Sequence, residues 1–124
     1  MADEIQVSLS LRAVKDPFDY EFAANFSRNL AGVGGGNPGR VRVTSTGNVT
    51  VSFGNTTGNG YSALVNLSTG ATVNYGPATT GGTLVEFGQL QPKDAAVYRH
   101  RATASLVLAT TSAVANVRVN RLDE

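Results

Sequence analysis

Val51-Ser52-Phe53-Gly54, Val73-Asn74-Tyr75-Gly76 and Val85-Glu86-Phe87-Gly88 are three statements of one phrase: valine, any residue, aromatic, glycine. In an extended chain the valine and the aromatic point to one face, and both residue types favour strands. The glycine reads as the bend or bulge where each strand ends. The phrases start 22 and then 12 residues apart, so they define no repeat unit, and a duplicated domain or solenoid is not expected. They predict an all-β protein with Phe53, Tyr75 and Phe87 as core-facing anchors.

Outward from these phrases, residues 5 to 12 alternate, with Ile5, Val7, Leu9 and Leu11 opposed by Gln6, Ser8, Ser10 and Arg12. This is the pattern of a half-buried strand. Beyond the turn Lys15-Asp16-Pro17, the same parity carries Phe18, Tyr20, Phe22, Ala24, Phe26 and Leu30. Aromatics at period two fit a second long strand better than the rival helix over 18 to 30. The segment 32 to 39, rich in glycine and holding Asn37-Pro38, predicts a flexible loop without a regular element. Further strands are expected at 40 to 44, 48 to 54, 61 to 67, 71 to 76, 83 to 89, 95 to 101, 104 to 110 and 113 to 122. Short strands separated by Gly-rich turns predict an antiparallel β-sandwich or jelly roll of about eight to ten strands in two sheets.

The chain has 124 residues, which suits one sandwich domain over 1 to 124. Ten basic and nine acidic side chains give a net charge of +1, too weak a field to select nucleic acid. No apolar run approaches the roughly 20 residues of a membrane-spanning helix. Cysteine is absent, so disulfides and thiolate metal sites are excluded. The start Met1-Ala2-Asp3-Glu4 has neither a basic nor an apolar stretch of the secretory kind, and synthesis in the cytoplasm is the expectation. Asn25, Asn48, Asn55 and Asn66 head Asn-x-Ser/Thr sequences, read here as turn and strand-edge chemistry.

No motif carries catalysis. The 32 to 39 segment lacks the Gly-Lys-Ser/Thr ending and the following helix of a phosphate cradle. His100, the one histidine, sits in Arg99-His100-Arg101, where flanking guanidinium groups depress its pKa; it reads as a rim or interface residue. The carboxylates are few and scattered, and no pair stands out for hydrolysis. No cofactor or metal is implied, and the chain is read as not an enzyme. Eight of the ten basic residues are arginine, and no acid stands between Phe22 and Val85. Arg40, Arg42, Tyr98, Arg99, His100 and Arg101 are therefore the candidate protein-interface residues, a patch for an acidic partner surface. Ordinary solvated arginines on strand edges account for the same pattern.

Tyr61-Ser62-Ala63-Leu64-Val65-Asn66-Leu67 with Val73-Asn74-Tyr75-Gly76, then Leu90-x-Pro92-x-x-Ala95-Ala96-Val97-x-Arg99 and the closing Val117-x-Val119, resembles small β-sandwich virion proteins of tailed bacteriophages. The resemblance spans roughly the C-terminal half, and Asp94 stands where that family's turn often has glutamate. It implies a structural component of the particle, located in the virion after synthesis in the host cytoplasm. The expected activity is capsid decoration, cementing the shell by binding the major capsid protein or other virion proteins. A homo-oligomer, a trimer above other states, is expected, with the N-terminal strand or the residues before it packing on a neighbouring subunit. A tail, neck or fibre-attachment component is the alternative. A carbohydrate-binding module is the third reading, which requires Tyr20, Tyr61, Tyr75 and Tyr98 to line one face; the absence of tryptophan weakens it.

Overall fold

The computed structural model describes residues 5–29, 35–44, 47–51, 58–101, 105–110 and 113–123. Among these residues the regular elements are ten strands, every pairing antiparallel. One four-stranded sheet has the order β3-β10-β5-β8, built from β3 (Gly35–Val43), β5 (Gly60–Asn66), β8 (Ala95–His100) and β10 (Ala115–Asp123). The facing sheet has the order β4-β9-β6-β7, with β4 (Val49–Thr50), β6 (Val73–Gly76), β7 (Gly88–Leu90) and β9 (Val107–Thr110). Val43, Leu64, Val73, Leu108, Val117 and Val119 are fully buried between them, which makes a sandwich core of interdigitating aliphatic side chains.

The N-terminal strands stand apart from both layers. β1 (Ile5–Lys15) and β2 (Phe18–Arg28) pair only with each other, over eleven residue pairs joined through the cis Asp16-Pro17 peptide. The register puts Val7 opposite Phe26, Leu9 opposite Ala24, Leu11 opposite Phe22 and Ala13 opposite Tyr20, so one face of the hairpin is apolar. At about 3.3 Å per residue this arm is roughly 35 Å long. Only its base is covered: Ile5 is buried, and Phe26 packs on Tyr61 with ring centroids 5.4 Å apart. Leu11 is 60% exposed, Phe22 47% and Tyr20 46%. The expected two-sheet arrangement is therefore corrected to two sheets and an arm.

Two further expectations are overturned. The glycine-rich segment, expected to be an irregular loop, is extended from Gly35 onward and pairs with β10. The register slips between Val119 and Arg121, where Asn37-Pro38 adds one residue to β3. β3 is an edge strand, the position at which a bulge and a proline without an N–H are tolerated. The third phrase is not a core strand: Val85 is half exposed, Phe87 is 78% exposed, and β7 begins only at Gly88. Pro77 accepts from Val85 N but has no N–H to return, which interrupts the ladder there. Tyr75 does pack against the core, while Phe53 and Gly54 lie outside the described residues.

The glycines of the second and third phrases serve close approach and not chain bending. Tyr75 pairs with Gly88, and Phe87 N donates to Tyr75 O at 3.0 Å. A side chain on Gly76 would strike the Val85 carbonyl, and one on Gly88 would strike the Tyr75 ring. Each phrase thus leaves room for the other.

Candidate functional site

Along the inner face of the larger sheet the chemistry changes from apolar to polar. Register places Val117 and Val119 beside Asn66 and Leu64, then Arg121 beside Ser62, and Asp123 beside Gly60. On the other side Ser62 faces Tyr98 and Gly60 faces His100. Period-two alternation from Ala115 through Val117 and Val119 therefore carries Arg121 and Asp123 inward, and both are buried. Burying charges requires partners, and the end of the sandwich supplies them. His100 Nδ1 lies 2.9 Å from Ser62 Oγ, and Arg121 Nε donates to His100 Nε2 at 3.1 Å. Asp123 Oδ1 stands 3.3 Å from the same ring nitrogen, while its Oδ2 accepts from Gly58 N at 2.9 Å.

Ser62, His100 and Asp123 carry the side chains of a hydrolytic triad, here joined with Arg121 in a buried clasp. Ser62 and His100 are 1% and 3% exposed, which leaves the hydroxyl no face for a substrate. Nε2 also lies 3.1 Å from Gly58 O, so one ring nitrogen meets a guanidinium donor and two oxygen acceptors, and the tautomer decides which of them it bonds. Burial first, and then the Arg121 charge, hold the His100 pKa below its usual value of 6.5. Burial also raises the Tyr98 hydroxyl, which hydrogen-bonds Ser62. His100, expected at a rim or interface, is thus an interior residue that ties β5, β8 and β10 together.

Above this clasp lies a groove of about 300 Å³. Its apolar walls come from Tyr75, Pro77, Phe87 and Leu106, and Arg99 and Arg101 stand on its basic side. Tyr75 and Phe87 meet edge to face at 6.3 Å between centroids. Arg99 also stacks over Tyr61 at 5.4 Å and donates to its hydroxyl at 3.2 Å, which places its guanidinium at the base of the arm.

The candidate interface residues do not form one patch. Arg40 and Arg42 sit on β3, at the opposite edge of the sheet from β8, with Tyr98 half buried on the inner face and Arg99 on the outer. The sheet instead groups Arg40 and Arg42 with Arg118, which the sequence reading passed over. Arg118 pairs directly with Arg40 across β10 and β3, and Arg42 pairs with Asn116. All three arginines are exposed, and their side chains make no hydrogen bond or ion pair with the described residues. The outward positions of this sheet's described side chains include no carboxylate. Alternation from Val117 and Val119 was the signal that puts Arg118 outside.

The four tyrosines do not share a face: Tyr20 lies on the arm, Tyr61 on the outer side of the sheet, and Tyr75 and Tyr98 toward the interior. Among the described residues no three His, Asp or Glu side chains gather as a metal site. The chain matches no protein-family model, no curated protein and no solved structure.

Proposed function

We propose that this chain is a non-enzymatic structural protein of a tailed-bacteriophage particle, a decoration protein that binds the outer shell and stabilises it. The observation that carries this reading is the exposed arginine group Arg40, Arg42 and Arg118 on a sheet face that shows no carboxylate among the described residues. Placing like charges directly opposite each other costs stability in an isolated sheet. An acidic partner surface would relieve that cost, and the guanidinium fork is suited to carboxylates. The net charge of +1 provides no broad positive field for a polyanion, so a bounded acidic protein surface such as a capsid subunit is the better fit. The buried clasp accords with a scaffold role, since its serine cannot meet a substrate.

The projecting arm favours a second reading, a tail, neck or fibre-attachment component, because an arm that reaches a neighbour suits ring formation. Counting copies on purified particles tests both. Hundreds of copies, lost when Arg40 and Arg118 are reversed in charge, support decoration. Tens or fewer support a tail or neck ring, and absence from particles sinks both readings.

A further inference from the structure

We infer that the groove between Tyr75, Phe87 and Tyr98 is a binding site for a small planar aromatic carboxylate, a ligand of two fused rings bearing one anionic group. This goes beyond the virion reading and does not depend on it.

The groove is an open end of the sandwich core. Leu106 is a buried core residue, and Tyr75 and Tyr98 pack against the same cluster. All three also line the groove, together with Pro77 and Phe87. Phe87 stands on the lip, 78% exposed, its ring edge to face with Tyr75. A flat apolar ligand entering here extends the core and meets aromatic faces and edges. It also covers the most exposed large apolar side chain among the described residues.

Volume sets the size of the ligand. The groove holds about 300 Å³, and an apolar cavity of about 150 Å³ takes one benzene. Two fused rings therefore match the space.

Charge sets the sign. The lining residues include arginines and no carboxylate. The Arg99 guanidinium is engaged by the Tyr61 ring and hydroxyl. Arg101 is exposed, and its side chain makes no hydrogen bond or ion pair with the described residues, which leaves its planar fork to take a carboxylate through two parallel hydrogen bonds. The neutral polar groups of the wall are already in use. The Tyr98 hydroxyl bonds Ser62, both His100 nitrogens belong to the clasp, and Ser105 Oγ accepts from Ala78 N at 3.3 Å. One anionic group on an otherwise apolar body is the complement of such a wall.

The test titrates the full chain with 2-naphthoate and, separately, with its neutral analogue 2-naphthamide, following backbone amides by nitrogen–proton correlation NMR. Saturable shifts at Gly76, Phe87, Arg101 and Ser105 are expected with 2-naphthoate. The amide should bind about tenfold more weakly, the effect of losing a charge-assisted contact. Arg101→Gln should erase that preference, and Phe87→Ala should weaken both ligands about fivefold or more. Both side chains are exposed, so both variants should keep the wild-type amide spectrum away from the groove. Absence of saturable shifts by about 1 mM 2-naphthoate overturns the inference. So do equal affinities for acid and amide, a preference that survives Arg101→Gln, unchanged binding in Phe87→Ala, or shifts that gather instead on the arm face of Leu11, Tyr20 and Phe22.

Discussion

Arg121 donates its Nε proton to Nε2 of His100 across 3.1 Å, and the Asp123 carboxylate stands 3.3 Å from the same nitrogen. The ring nitrogen thus sits between a buried cation and two acceptors, the Asp123 carboxylate and Gly58 O at 3.1 Å. Protonating it would set imidazolium against guanidinium inside the sandwich end, where removing either partner of a charged pair is costly.

Acidification should therefore weaken the fold through His100. Its pKa is held below 6.5 in the folded protein, by burial first and Arg121 second, while the unfolded chain takes up a proton near 6.5. The stability is fully present above pH about 6.5 and is lost as pH falls toward the depressed folded value, with a slope of at most ~1.4 kcal/mol per pH unit. Urea unfolding between pH 7.5 and 5.5 should show this slope. His100→Gln should flatten it, because the chain has no other histidine. An unchanged slope in that variant would mean that another group titrates.

Asn66 is the second buried polar post. Its Nδ2 lies 2.8 Å from Ala71 O and 3.1 Å from both Leu90 O and Gln91 O, and its Oδ1 accepts from Ser68 N at 3.1 Å. One amide thus pins the turns on either side of β6 and β7. Asn66→Asp keeps the shape and removes both donors, leaving three carbonyls facing a carboxylate. The expected loss is ~3 kcal/mol, from unsatisfied buried groups, read as a lower urea midpoint at unchanged m-value. A loss below ~1 kcal/mol would show that the turns hold without the side chain.

The paired phrases give a contrast between two glycines. An added methyl at Gly76 meets the Val85 carbonyl and Phe87 N, both backbone atoms, so a whole segment must lift. At Gly88 it meets the outer end of the Tyr75 ring, which can rotate away. Gly76→Ala should cost ~3 kcal/mol, near the top of the overpacking range, and Gly88→Ala nearer ~1 kcal/mol. Comparable thermal shifts for the two variants would contradict this account.

Alternation made most of the strands legible, because period two is a direct imprint of a half-buried sheet. The same parity in Ile5 to Leu11 and Phe18 to Phe26 named an apolar face. Parity says nothing about what covers that face, and here the other described residues cover only its base. Phe87 misled for a related reason: Val-x-aromatic-Gly describes a strand's local chemistry, whereas the phrase's exposure follows from Pro77 opposite Val85 and from the edge position of β7. The clasp was half readable. Arg121 and Asp123 continue the parity of Val117 and Val119, but a rule that keeps charges outside discards that signal unless buried partners are foreseen. Those partners, Ser62 and His100, are 59 and 21 residues away from Arg121 in sequence.

Arg118 separates folding from binding. It stands directly opposite Arg40 on the outer face, where like charges destabilise the pair. Arg118→Glu converts the pair to an attractive one and should raise the stability of the isolated protein by ~0.2–1 kcal/mol, the range for cross-strand charge pairs. If the outer face docks on an acidic surface, the same substitution should abolish that docking, since it places a carboxylate at the centre of the contact. Melting temperature and co-sedimentation with shells, measured on one preparation, give the two readouts. A rise in melting temperature with shell binding lost is the expected result. Binding that survives the reversal would take the arginine group out of the interface, and a fall in melting temperature would mean that Arg40 and Arg118 do not oppose each other as the register places them.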